Sequence, residues 1–402
     1  MSHFVSEFSD DTLSRIYDET PGLAGRIHLD NAGSSFMAAP VIHAIKTAFD
    51  REVRFGGYVA QEQQNEALEA SYHALARLLG GDASDYAFVG NAVDGWTKAF
   101  YSLPFKQGDV ILTAYNEYCA NYIAYLQVAK TKGVEIRVAR SLPEGGIDLE
   151  HMKALIDERT RLISISHMPS SSGEIVQAAE VGCIARDNGI LFQLDACQST
   201  GHVPVNVNQI GCDIMTGTSR KFLRGPRGIG FLYVNQKARS QMEPVVMTNM
   251  AAEWSSKDSY IAREDARVFE AWERSVVNQI GFGAAINYLL ELGVETATAQ
   301  IRRNADYLRG LLAGRNEVTM VCPPSAQSAI ITFNVDGFTP TEVKTYMQKR
   351  GIAVQVAKQA HTRLDYEARN INEAIRVSPH YYTPRSAMDD FMTALTDMHN
   401  GR

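Results

Sequence analysis

The sequence predicts an α/β protein: a mostly parallel sheet flanked by helices, followed by a smaller α+β C-terminal domain. Two patterns predict it. Short apolar runs alternate with helically spaced segments from about residue 65 to 235, which implies crossover connections and a parallel sheet covered on both faces. Beyond a polar, irregular stretch at 235–268, two long helical runs are followed by a shorter mixed pattern. In open sheets of this kind, ligands sit at the carboxyl ends of the strands.

The elements follow in order. Segment 66–79 (EALEASYHALARLL) has helical spacing, 86–89 (YAFV) is a strand and 92–103 a helix. Strand 110–113 (VILT) is followed by helix 121–131 and strand 134–138 (VEIRV). Helix 150–156, strand 162–166 (LISIS), helix 180–188 and strand 190–194 (ILFQL) continue the alternation, which strands 214–217 (IMTG) and 230–234 (GFLYV) complete. Helices are expected at 276–292 and 294–312, then a strand at 329–335 and helices at 340–350 and 387–396. The expected division is an N-terminal segment 1–20, a large domain 21–270 and a small domain 271–402, with the boundary within 255–285.

Composition narrows the function. The chain has 402 residues, 45% hydrophobic and 21% charged, with a net charge of −7. No Lys/Arg run stands out, so neither nucleic acid nor an anionic membrane is an expected partner. The N-terminus lacks the basic and apolar regions of a signal peptide, and no stretch is apolar for long enough to span a bilayer. Five cysteines, with no CxxC pair and no zinc-type Cys/His spacing, suggest free thiols in a reducing compartment. The expectation is a cytoplasmic protein without a metal.

The informative stretch runs from 191 to 234. Asp195 directly follows a strand, and an acid at an apolar sheet edge needs a partner. Lys221 lies beyond the next strand and precedes a Gly/Arg-rich turn, FLRGPRGIG. A strand-end acid and a lysine are individually commonplace. The ordered set D-A-C-Q, T-x-x-K and G-P-x-G-x-G is not.

That set resembles the class V aminotransferase family of fold-type I pyridoxal-phosphate (PLP) enzymes, from HLDNAGSS (28–35) to IRVSPHYYTP (375–384). The resemblance implies that residues 21–270 bind PLP. It implies a Schiff base on Lys221, which then serves as the base at the substrate Cα, and Asp195 on the pyridine nitrogen. Gln198 is implied as the partner of the phenolic oxygen. Thr218 and Arg220, with the helix start at Asn91, Ala92 and Val93, are implied as the phosphate site. Arg376 is implied as the carboxylate clamp.

Other positions depart from the family. Cys119, in E-Y-C-A-N (117–121), stands where relatives stack a histidine on the ring, leaving an open ring face. His167 and Ser170, in SHMPSSSG, are expected near cofactor and substrate. Tyr58 is expected to reach the partner's site in a homodimer. Segments 52–64 and 266–276 are similar to the branch of hercynylcysteine sulfoxide C–S lyases and isopenicillin N epimerase-like proteins. Stretch 354–373 contains no cysteine, which disfavours a cysteine desulfurase. The resulting expectation is β-elimination from a cysteine S-conjugate or sulfoxide. Epimerisation or racemisation, transamination and a PLP-less binding role are the alternatives.

Overall fold

The computed structural model describes residues 7–401. Seven strands form the central sheet, in the order Tyr86–Val89, Gly230–Val234, Ile214–Thr218, Leu191–Asp195, Thr160–Ser166, Val110–Ala114 and Glu135–Ala139. The five strands from Ile214–Thr218 to Glu135–Ala139 are parallel, while Gly230–Val234 runs antiparallel to both its neighbours. This is the mostly parallel sheet expected from the alternating pattern, and it agrees with the fold that the family resemblance implies.

Strand Leu191–Asp195 lies at the middle of the sheet, with Ser166 opposite Asp195 in one neighbour and Thr216 opposite it in the other. The carboxyl ends of three parallel strands therefore converge on one edge. Helix Ala92–Tyr101 is started by Asn91, whose side chain accepts from the Asp94 N–H. Two glycines let this helix approach the sheet. A Cβ on Gly230 would lie 2.9 Å from the Ala92 nitrogen, and one on Gly95 would lie 3.0 Å from Val89.

The second unit is a four-stranded antiparallel sheet in the order Val318–Met320, Ile331–Val335, Glu373–Val377 and Gln355–Lys358. Helices Pro340–Lys349 and Arg385–Asn400 pack with it. The N-terminal segment crosses to this unit: Ile27–His28 pairs in parallel with Ile352–Ala353, and Asp30 bridges to Ser378. Helix Val276–Leu292 buries Phe282, Ile286 and Leu289 and packs on helices Ala39–Phe55 and Asn65–Leu79. The next helix, Val294–Ala313, packs on Val318–Met320 and Arg385–Asn400.

Several features differ from the sequence expectation. Helices Asp10–Asp18, Ala39–Phe55 and Gly57–Gln63 and strands Val318–Met320 and Gln355–Lys358 are additional to it. Stretch 235–268 is not irregular throughout, because it holds the short helix Gln236–Arg239 and a hairpin of Ala252–Ser256 with Ser259–Ala262. The hairpin is almost wholly exposed, so it carries no alternation of buried and exposed residues from which a strand could be read.

Arg224, three residues after Lys221, ties the lysine loop to both chain ends. It is buried at 1% exposure with a left-handed φ of 59°. Its guanidinium donates to the Phe36 carbonyl at 2.8 Å, Thr20 Oγ1 at 2.7 Å and Tyr381 Oη at 3.0 Å, and it lies over the Tyr382 ring at 4.3 Å. Replacing it with methionine strands these acceptors in the interior. Arg224→Met is expected to cost about 2–4 kcal/mol of stability, read by denaturant unfolding; a loss under about 0.5 kcal/mol would contradict this role.

Candidate active site

A cavity of about 960 Å³ opens at the carboxyl edge of the central sheet, between it and the second unit. That is the upper end of the range for small-molecule sites. Its inner wall carries Asn91, Ala92, Val93, Asp195, Gln198, Arg220 and Lys221, and its outer wall Ser170 and Arg376. These nine expected residues thus come together from segments distant in sequence.

Asp195 is fixed on both sides. Its Oδ1 accepts from the Cys197 N–H at 2.9 Å, and its Oδ2 from Asn121 Nδ2 at 3.0 Å. Lys221 Nζ stands 3.3 Å from Cys197 Sγ. Gln198 donates to the Ala32 carbonyl at 3.0 Å, while its Oε1 is buried without a partner. At the helix start, the Ala92 and Val93 N–H groups have no acceptor one turn back, as at any helix N-terminus, and Arg220 lines the same cavity. Arg376 pairs with Asp30 at 3.0 Å and donates to the Ser170 carbonyl at 3.3 Å, leaving its Nε buried and unpartnered.

This set fits pyridoxal phosphate. It offers an amine, a fixed carboxylate, an amide with an orphaned buried atom, and an anion site made of a helix start and a guanidinium.

Four expected residues lie off the cavity wall. Thr218 is buried behind Arg220, whose NH1 donates to it at 3.2 Å. His167 is also buried: its Nδ1 bonds Ser199 Oγ at 2.9 Å, and burial lowers its pKa to about 4. Its ring is neutral and packs behind the cavity wall. Cys119 is half-buried and does not line the cavity; burial raises its thiol pKa. Tyr58 is 70% exposed on helix Gly57–Gln63, outside its own chain's cavity.

The reason Cys119 misses the wall is local. The helix begins at Cys119, not at 121, and its extended N-cap residue Tyr118 is the one that lines the cavity. Burial, together with the nearby thiols of Cys119 and Cys197 and the Asp195 carboxylate, raises the Tyr118 pKa to about 12. A neutral phenol therefore takes part of the space that the sequence left open.

Behind Asp195 lies a group that sequence reasoning missed. Glu117 is buried and accepts from Tyr118 N–H and Ser166 Oγ at 2.7 Å, from Asn121 Nδ2 and Tyr125 Oη at 3.0 Å, and from Thr113 Oγ1 at 3.2 Å. The Asn121 amide nitrogen thus bridges Glu117 and Asp195. Burial, with the Asp195 charge adding to it against these hydrogen bonds, pushes the Glu117 pKa up to about 7.

The sign follows from linkage. Between the ordinary glutamate range and about pH 7 the folded state holds a proton that the unfolded state has lost, so this group's contribution to stability falls as pH rises. Glu117→Gln, a mimic of the protonated form, should therefore gain melting temperature relative to the parent on going from pH 5 to pH 8. A difference that does not change with pH would count against this assignment.

Comparison with known proteins agrees with the geometry. The family model for aminotransferase class-V matches residues 27–391. A probable cysteine desulfurase of Methanothermobacter thermautotrophicus is 25% identical over 374 residues, covering 90% of this chain and 92% of that protein. The apo structure of a cysteine desulfurase from Thermococcus onnurineus NA1 superposes with a TM-score of 0.89 at 24% identity, covering 97% of this chain and 98% of that one. C-DES with glycine covalently linked to its PLP cofactor gives a TM-score of 0.86 at 19% identity, covering 94% of this chain and 98% of that one.

These relatives correct one expectation. The absence of a cysteine from 354–373 disfavours a desulfurase and points to elimination from a cysteine S-conjugate or sulfoxide. Proteins named as desulfurases nonetheless align over nine-tenths of the chain. The missing thiol was a local signal, outweighed by likeness across the whole sequence. Nor do these relatives support the narrower C–S lyase and epimerase-like branch. The chain belongs to the aminotransferase class-V family, and it is an enzyme whose cofactor is pyridoxal phosphate.

Proposed function

We propose that this enzyme removes sulfur from L-cysteine and passes it to a thiol outside the 354–373 segment. The observation that carries the reading is an amino-acid site, with Lys221 and Arg376 on one cavity, in a chain related throughout to cysteine desulfurases. Pyridoxal phosphate, when bound, supplies an electron sink for charge developing at the substrate Cα. Lys221 takes and returns the Cα proton. Asp195, fixed by the Cys197 N–H and Asn121 Nδ2, would pair with the ring nitrogen, and Gln198 with the phenolic oxygen. Arg220 and the Ala92–Val93 helix start would hold the phosphate. Arg376, with Ser170 beside it, orients the substrate carboxylate.

The acceptor thiolate bonds to the substrate sulfur as the Cβ–S bond breaks. The electron pair stays on the carbon side and Cβ takes a proton, so the products are alanine and a persulfide. Within the cavity wall the available thiol is Cys197, which burial keeps protonated and which sits against Lys221. This is why an external acceptor is assigned.

Two further parts of the reading concern assembly and location. Phe49, Val53, Phe55, Tyr58 and Val59 are exposed on consecutive helices, which supports a homodimer with Tyr58 at the interface. Five free cysteines support a reducing, cytoplasmic location. Among the described residues no helix is long and apolar enough to cross a membrane.

The test is to supply the PLP-loaded protein with L-cysteine and dithiothreitol and to quantify the products. Alanine and sulfide in equal amounts are expected. Pyruvate and ammonia in place of alanine, or no product at all, would overturn the proposal.

A further inference from the structure

The charge on the cavity wall is unbalanced. Arg220, Lys221, Arg227, Lys344, Lys358 and Arg376 line it against a single carboxylate, Asp195. On the reading above, the phosphate engages Arg220 at the helix start, Lys221 anchors the cofactor, and Arg376 takes the substrate carboxylate. Arg227, Lys344 and Lys358 have no such role, and the two lysines stand apart from the rest. Both belong to the second unit, facing the cavity from the side opposite the sheet edge.

The surface around them is built for a polar ligand. Thr341, Lys344, Thr345 and Gln348 all line the cavity from helix Pro340–Lys349. Spacings of three and four place them on one helix face, so the face turned to the cavity is wholly polar where a packing helix would be apolar. Lys344 Nζ donates to Gln355 Oε1 at 2.5 Å, which holds the ammonium against the neighbouring strand. Among the described residues, neither Lys344 nor Lys358 lies in an ion pair. Glu373 stands opposite Lys358 in the strand register but is not part of the cavity wall. A cleft lined by charge of one sign concentrates ligands of the other.

We propose that this wall is a second subsite, in which Lys344 and Lys358 bind a carboxylate or sulfonate while the amino-acid end is held at Arg376. It rests on the reading that Arg376 receives an amino acid. The anion can arrive in two ways: as the far end of a longer amino acid held at Arg376 in place of cysteine, or on the acceptor thiol that shares the cavity. Both present the same chemistry to the two lysines.

The experiment has an arm for each source. In the first, L-glutamate against L-glutamine, and L-homocysteate against L-methionine sulfone, are titrated into the PLP-loaded protein by calorimetry and by cofactor absorbance. In the second, 3-mercaptopropionate is compared with 2-mercaptoethanol as sulfur acceptor from L-cysteine. The anionic member should be favoured by about tenfold or more in at least one arm, and the arm identifies the source. The ratio should collapse toward unity in Lys344→Gln/Lys358→Gln, with melting temperature confirming that the variant is folded.

No preference in either arm, or a preference that survives the double substitution, overturns the subsite. If alanine is still formed from cysteine, only the subsite fails. If no amino acid perturbs the cofactor or is consumed, the functional reading fails with it.

Discussion

Replacing Lys221 with alanine is expected to abolish turnover, with a loss of about 10³-fold or more, while leaving the fold intact. Lys221 follows strand Ile214–Thr218 at the carboxyl edge, and its Nζ touches Cys197 Sγ at 3.3 Å rather than any carboxylate. An amine with no salt bridge to break is free to serve as nucleophile and then as proton carrier. The variant should still bind pyridoxal phosphate through Asp195, Gln198, Arg220 and the helix start, but without the absorbance at roughly 420 nm that marks the covalently held cofactor. Spectra and product assays on the same sample check both parts. Retention of that band together with activity would assign the anchor to another residue.

Asp195→Asn is the second large effect. The substitution is nearly isosteric, yet it removes the charge that keeps the cofactor's ring nitrogen protonated and the ring electron-withdrawing. It also disturbs the bridge from Asp195 through Asn121 to Glu117, because an amide offers one acceptor oxygen where the carboxylate offers two. The carboxylate accepts from Cys197 N–H on one oxygen and from Asn121 Nδ2 on the other, so the substituted amide must set its own NH₂ against one of these donors. Turnover should fall by about 10²–10⁴-fold, with weaker cofactor retention on dialysis. Activity within about tenfold of the parent would contradict the role given to this carboxylate.

Much of this site was legible before any coordinates, because its inner wall is encoded locally. Asp195 ends a strand, Lys221 follows the next one, and parallel strands must deliver both to the same sheet edge. The remainder depends on relations that sequence spacing does not carry. Tyr118 rather than Cys119 reaches the cavity because the helix starts two residues earlier than the apolar pattern suggests, which makes Tyr118 its extended N-cap residue. His167 follows a strand end as Asp195 does, but it bonds Ser199 and is buried off the wall.

The Asp30–Arg376 pair joins the N-terminal segment to the last strand through the Asp30–Ser378 bridge, so no local motif announces it. Glu117 opens the E-Y-C-A-N run, but its five donors come from two strands, one helix and that helix's N-cap residue, which only the folded chain assembles. The missing cysteine in 354–373 misleads for a different reason, because the sulfur acceptor is the part of a desulfurase reaction that another molecule can supply.

The role proposed for Lys221, as anchor of the cofactor in an amino-acid site, leaves a covalent trace. Its most direct test is reduction of the PLP-loaded protein with borohydride, followed by proteolysis and mass spectrometry. A pyridoxyl phosphate group is expected on the peptide containing Lys221, with loss of that label in Lys221→Ala. A label on any other lysine, or none after incubation with the cofactor, would contradict it.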